Sequence, residues 1–167
     1  TVVWDGRTTQ ANPPISFGAL TTLSAPGAAG DAEIGDFTGD ALPDVLLGTG
    51  GLSGPDPARG GFTIYPGFGN GTFGASSRTG TGVDASATAA GDFDGDGDPD
   101  VAVANRWSGL VLIWRNSGAG VFPSSPDQSF LVGPDPLDLA VADLDGDGDL
   151  DLLAVGGVIS PGYVAIM

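Results

Sequence analysis

The sequence predicts an all-β protein built of β-propeller blades. Each blade has four antiparallel strands, and about three repeats form part of a larger ring or assembly. Three observations predict this. An aspartate-rich motif recurs, as DFTGDALPD at 36–44, DFDGDGDPD at 92–100 and DLDGDGDLD at 143–151; a period near 50 residues belongs to propellers, solenoids and arrays. Short apolar runs rich in Val, Ile, Phe, Tyr and Trp keep phase with it, each too short for an ordinary helix. The 30 glycines and 13 prolines fall between those runs, as turns between many short strands require.

Taken in order, each unit reads as strands A to D. Strand A precedes the motif, as DAEIGDF (31–37), ATAAGDF (87–93) and LDLAVADL (137–144). Strand B follows it, as DVLLG (44–48), DVAVA (100–104) and DLLAV (151–155). Strand C carries aromatics, as FTIY (62–65) and LVLIW (110–114), with YVAIM (163–167) in the same slot. A turn and a Phe then lead into strand D, near Phe73 and Phe122. The opening TVVW (1–4) fits slot C, and ISFGA (15–19) fits the segment after it. The expected division is therefore a partial blade at 1–30, blades at 31–83 and 84–136, and a partial blade at 137–167. Three and a fraction blades do not close a ring of four to eight, so further blades come from more of the same chain or from other copies. Thr1 as first residue and Met167 as the only methionine read as a processed chain or a piece of a longer one.

Charge narrows the function. The chain holds 21 acidic residues, 20 of them Asp, against five Arg and no Lys, for a net charge of −16. Such a field disfavours nucleic acid and anionic membranes as partners. No apolar run approaches the roughly 18 residues of a membrane-spanning helix. Without Cys there are no disulfides or thiolate metal sites, and without His the commonest general base and zinc ligand is missing. The acids outside the motifs show no paired-carboxylate pattern of a glycosidase, and no Ser lies in a nucleophile elbow. The expectation is a non-enzyme.

Thirteen of the acids lie in the three motifs. Carboxylates about 4 Å apart repel by roughly 4 kcal/mol at an effective dielectric near 20, so a tight loop carrying several needs a cation. Ca²⁺ takes six to eight hard oxygen ligands. In D-x-D-G-D-G-x-x-D, positions 1, 3, 5 and 9 offer carboxylates, position 7 a carbonyl, and the glycines allow positive φ. The expected ligands are Asp92, Asp94, Asp96, Asp98 (carbonyl) and Asp100 in the second motif. In the third they are Asp143, Asp145, Asp147, Asp149 (carbonyl) and Asp151. The first offers Asp36, Thr38, Asp40, Leu42 (carbonyl) and Asp44; with Thr38 for a carboxylate and Ala41 for a glycine, it is expected to bind more weakly. An EF-hand needs flanking helices and a Glu at position 12, where this chain has Leu47, Val103 and Ala154.

The runs GDFDGDGDPDVAVAN, ADLDGDGDLDLLAVGG and GDFTGDALPDVLLGTGG, with the GNGTFG turn at 69–74, resemble the FG-GAP/VCBS repeats of integrin-α-like propellers. The resemblance implies a calcium-stabilised, extracellular or cell-surface propeller used for adhesion, ligand binding or display. The leading expectation is a non-catalytic structural or adhesive module, a subunit of a larger assembly or filament. A lectin-like, carbohydrate-binding propeller and an accessory domain of a secreted enzyme are the alternatives. Trp4, Tyr65 and Trp114 recur in slot C, either as a sugar platform or, as in-phase aromatics usually are, as core between blades. Trp107, beside Arg106, does not repeat and is the better surface-contact candidate. Asn70-Gly71-Thr72 is either a glycosylation sequon or a tight turn.

Overall fold

The structure is a computed structural model that describes residues 3–4, 7–8, 22–50, 60–81, 85–157 and 162–167. These residues form β-strands and no helix. Strands β1 (Val3–Trp4) and β2 (Arg7–Thr8) pair antiparallel with each other. The strand expected at the N-terminus is thus present, while ISFGA lies outside the described residues.

Three antiparallel meanders follow. The first is β3 (Ala28–Gly35), β4 (Asp44–Gly50), β5 (Gly61–Tyr65) and β6 (Ser77–Gly80). The second is β7 (Ala85–Gly91), β8 (Asp100–Asn105), β9 (Leu110–Trp114) and β10 (Gln128–Leu131). The third is β11 (Pro136–Ala142), β12 (Asp151–Gly156) and β13 (Tyr163–Ile166). Strand order equals chain order in every sheet, as in a propeller blade, and the sheets do not close into a ring. The fourth strands begin at Ser77 and Gln128, after Phe73 and Phe122. Phe73 instead bridges to Gly67, and Phe122 meets Phe62 of the first sheet edge-on, with ring centroids 5.0 Å apart.

The sheets stack through their first strands, β3 against β7 and β7 against β11. Side chains alternate across a strand, so the middle sheet has two buried faces. Val101, Val103, Leu112 and Trp114 pack with Leu46, Phe62 and Ile64 of the first sheet. Ala102, Ala104, Val111 and Ile113 pack with Leu139, Leu152 and Ala154 of the third. Trp114 and Tyr65 are buried, so in-phase aromatics at these two positions are core and not a sugar platform. Nothing is described of the Trp4 side chain.

Each first strand slips register once, skipping Gly30, Ser86 and Leu137. The slip is a β-bulge, and it turns Ala85 toward the first sheet while Ala87 and Ala89 face the third. Next to it, Asp31 Oδ2 accepts the Thr88 N–H across sheets at 3.1 Å. The Ser86 hydroxyl reaches the Pro136 carbonyl at 2.7 Å.

Candidate metal centre

The three motifs form the β3–β4, β7–β8 and β11–β12 loops, so all three open at the same end of their blades. Their scaffold is one device used three times. The first Asp of each loop accepts backbone N–H groups from the turn it begins. Asp92 takes those of Gly95 (2.8 Å), Asp96 (3.1 Å) and Gly97 (2.9 Å). Asp36 takes those of Gly39 (2.8 Å), Asp40 (3.1 Å) and Ala41 (2.7 Å). Asp143 takes those of Gly146 (2.7 Å) and Gly148 (3.2 Å). The turn needs positive φ at its sixth position, which Gly97 and Gly148 supply at 97°. Ala41 adopts φ 64° in the same place, strained for a residue with a Cβ.

The last Asp closes the loop from inside. Asp44 is 0% exposed; one oxygen accepts the N–H groups of Phe37 (2.9 Å) and Thr38 (3.0 Å), the other that of Gly67 (2.8 Å). Asp100, also 0% exposed, accepts from Phe93 (3.0 Å) and from Asn116 (2.8 Å). Burial pushes the Asp100 carboxyl above its ordinary pKa; the two backbone N–H bonds oppose this, and Asp94 and Asp96 add repulsion. Asp151 is only half-buried and accepts from Leu144 at 2.8 Å.

Asn116 extends this closure between blades, and nothing in the motif announced it. Its side-chain amide donates to the Phe37 carbonyl (2.8 Å) and the Pro99 carbonyl (3.2 Å), and its Oδ1 accepts the Gly118 N–H (3.1 Å). The N-G-type signal NSG at 116–118 reads only as a turn in sequence; its reach to Phe37 depends on how two sheets stack. The first blade has Gly67 in the place of Asn116, where an added Cβ would collide with the Pro43 carbonyl.

The loops differ in what they gather. Carboxylate oxygens of Asp92, Asp94 and Asp96 lie within 4.8 Å of one another, as do those of Asp143, Asp145 and Asp151. Oxygens held by one Ca²⁺ at 2.3–2.6 Å stand at most about 5 Å apart, so both groups fit the ion. The N–H groups of Asp98 and Asp149 each donate to the Asp two before, at 3.0 Å. Asp147 donates its N–H to Asp145 (3.2 Å). Among the described residues the first loop forms no such group of three. Asp40 accepts the Leu42 N–H (2.9 Å), and Thr38 Oγ1 is shut off from solvent without a hydrogen-bond partner. Arg115 adds a cation to the second loop, 3.5 Å from Asp94.

Asn70 sits exposed in a tight turn, its Oδ1 accepting from the Thr72 N–H (2.9 Å) and hydroxyl (2.6 Å).

No curated protein matches the sequence. The FG-GAP-like repeat matches at residues 36–103 and again at 92–154, so that each match runs from one aspartate loop into the strands after the next and the two together cover more than half of the chain. The chain is a member of the FG-GAP-like repeat family.

Proposed function

We propose that this chain is a non-catalytic, calcium-stabilised extracellular β-propeller module with a structural or adhesive role. The observation that carries the proposal is the pair of three-carboxylate groups on backbones already curled around them. Ca²⁺ between such groups replaces repulsion with attraction, and an ion that binds only the folded loop stabilises the fold by mass action. An extracellular or cell-surface setting supplies the ion at the concentrations that weaker modules need. Native mass spectrometry tests the metal. Two tightly held Ca²⁺ per chain are expected, with a third bound weakly at the first loop. No calcium, or tightest binding at Asp36–Asp44, overturns the proposal.

The partner reading rests on the third sheet. Its far face carries Leu153 opposite Ile166 and Val155 opposite Val164. By register these stand where Leu46, Ile64 and Phe62 stand in the first sheet, and Ala102, Ile113, Ala104 and Val111 in the second. Both of those faces are covered by the following sheet, whereas Val164 is 63% and Ile166 62% exposed. The chemistry that fits this face is another blade of the same kind, from a second copy when the chain is isolated. Light scattering on the purified chain should give a mass above one protomer, reduced to one by Val164→Asp with Ile166→Asp. A monomer at high concentration would sink this part alone.

A further inference from the structure

We infer that the groove beside Trp107 is a binding site for a neutral sugar ring. It lies in the second blade, at the opposite end of the strands from the aspartate loops. Residues 106–109 form the turn from β8 to β9, and a buried residue holds that turn. The Asn105 carbonyl accepts the Gly109 N–H (3.0 Å), and its side-chain oxygen accepts the Ser108 N–H (3.2 Å). The Gly109 carbonyl in turn accepts the N–H groups of Val132 (3.0 Å) and Gly133 (3.3 Å), tying the 131–136 segment to the turn. Gly109 has φ +71°, and a Cβ there would meet the Gly133 carbonyl at 2.6 Å.

On this fixed frame Trp107 is 56% exposed, and Leu131 is 80% exposed. Between them runs an open groove of about 450 Å³, with Ser108 and Pro134 in its walls and Arg106 and Asp135 as its charged groups. Trp107 and Leu131 thus offer a ligand an apolar surface in one groove, with an aromatic face on which to stack. Asp135 is fixed by the turn on which it sits. It adopts φ 52°, a left-handed turn conformation that Asp tolerates. In that conformation its carbonyl accepts the Gly157 N–H (3.1 Å) and its carboxylate meets Arg106 Nε (3.4 Å). The ion pair uses Nε alone among the described residues, which leaves the terminal amino groups of the guanidinium as donors beside a carboxylate acceptor.

These groups select the ligand class. A single flat indole offers one stacking face, matched by the C–H face of a pyranose. A fixed donor–acceptor pair suits neighbouring hydroxyls. The net charge of −16 disfavours an anionic ligand, and the volume lies within the range of small-molecule sites. The groove thus takes a neutral mono- or disaccharide, with Trp107 as platform and Arg106 and Asp135 as the hydroxyl-reading pair. A proline-rich peptide would ask for a second aromatic wall, which Leu131 and Pro134 do not provide.

The test is an array of neutral mono- and disaccharides of glucose, galactose, mannose and N-acetylglucosamine, probed with the full chain in saturating Ca²⁺. Calorimetry on the best-bound sugar then compares the wild type with Trp107→Ala, Trp107→Phe and Arg106→Gln. Trp107→Ala should lose at least tenfold in affinity and Trp107→Phe less, with unchanged melting temperatures, since an exposed side chain on an intact turn contributes little to folding. Binding to no sugar on the array, or equal binding by Trp107→Ala, would overturn the assignment.

Discussion

The first and second aspartate loops share a backbone and differ in their carboxylates. Asp36 and Asp92 hold the same three N–H groups, and Asp44 and Asp100 close both loops from the interior. Yet only the second brings three carboxylates together. The comparison separates two roles inside one motif. Positions 1 and 9 accept the backbone N–H groups that build the loop, and position 3 joins position 1 in both of the carboxylate groups that could hold a cation. The first loop keeps the backbone scaffold while Thr38 stands where the second has the Asp94 carboxylate.

Breaking the shared scaffold should have the largest effect. Asp44→Ala leaves three N–H groups without their acceptor at a site closed to water, each costing about 1–3 kcal/mol. We expect a loss of at least about 3 kcal/mol in urea denaturation with metal absent, because the role needs no ion. Asp151→Ala, which strands one N–H at a half-buried site, should cost clearly less. Equal losses would remove the distinction drawn between buried and open closures.

Next come the substitutions that exchange cation character between loops. Asp94→Asn should abolish the tight binding of one Ca²⁺ and leave the chain folded, while Thr38→Asp should raise the affinity of the first loop at least tenfold. Calorimetric titration reads both. A Thr38→Asp chain that binds calcium no better than the wild type would show that the first loop lacks more than one carboxylate.

A smaller gain is expected from Ala41→Gly. It relieves a left-handed conformation costing about 1–2 kcal/mol, offset by the entropy of glycine at about 0.5–1 kcal/mol. The net should be a stabilisation of about 0.5 kcal/mol, visible as a shift in the urea midpoint.

The smallest effect concerns Glu33 on β3. Burial, then Asp31 and Asp138, push its carboxyl above the usual range. A raised folded pKa means that ionised Glu33 opposes folding at neutral pH, and that this opposition fades as pH falls toward the ordinary carboxylate value. Glu33→Gln should therefore be slightly more stable than the wild type at pH 7, with the difference shrinking toward pH 4.5, in urea melts at saturating Ca²⁺. A difference that grows on acidification has the wrong sign for this cause.

Much of this was legible in the sequence because the repeat places it locally. The blade strands, their order and the position of the aspartate loops follow from motif spacing and short β-branched runs. What was hidden depends on stacking. Asp44 and Asp100 read in the sequence as ligands beside Asp94; that they are also buried loop closures depends on Gly67 and Asn116, which follow β5 and β9. Asn116 reaches Phe37 across 79 residues of sequence. The bulges at Gly30, Ser86 and Leu137 have no shared residue type to mark them. The fourth strands were drawn toward Phe73 and Phe122 because an aromatic favours a strand, whereas Phe122 packs between sheets and the strands lie further on, at Ser77–Gly80 and Gln128–Leu131.

The central claim is that calcium in the second and third loops is part of the fold. Thermal melting of the calcium-loaded chain, repeated after chelation and after return of Ca²⁺ or Mg²⁺, tests it most directly. The melting temperature should fall on chelation and recover more with Ca²⁺ than with Mg²⁺, whose stricter six-coordination suits these loops less well. An unchanged melting temperature, with removal of the metal verified by elemental analysis, would contradict the account.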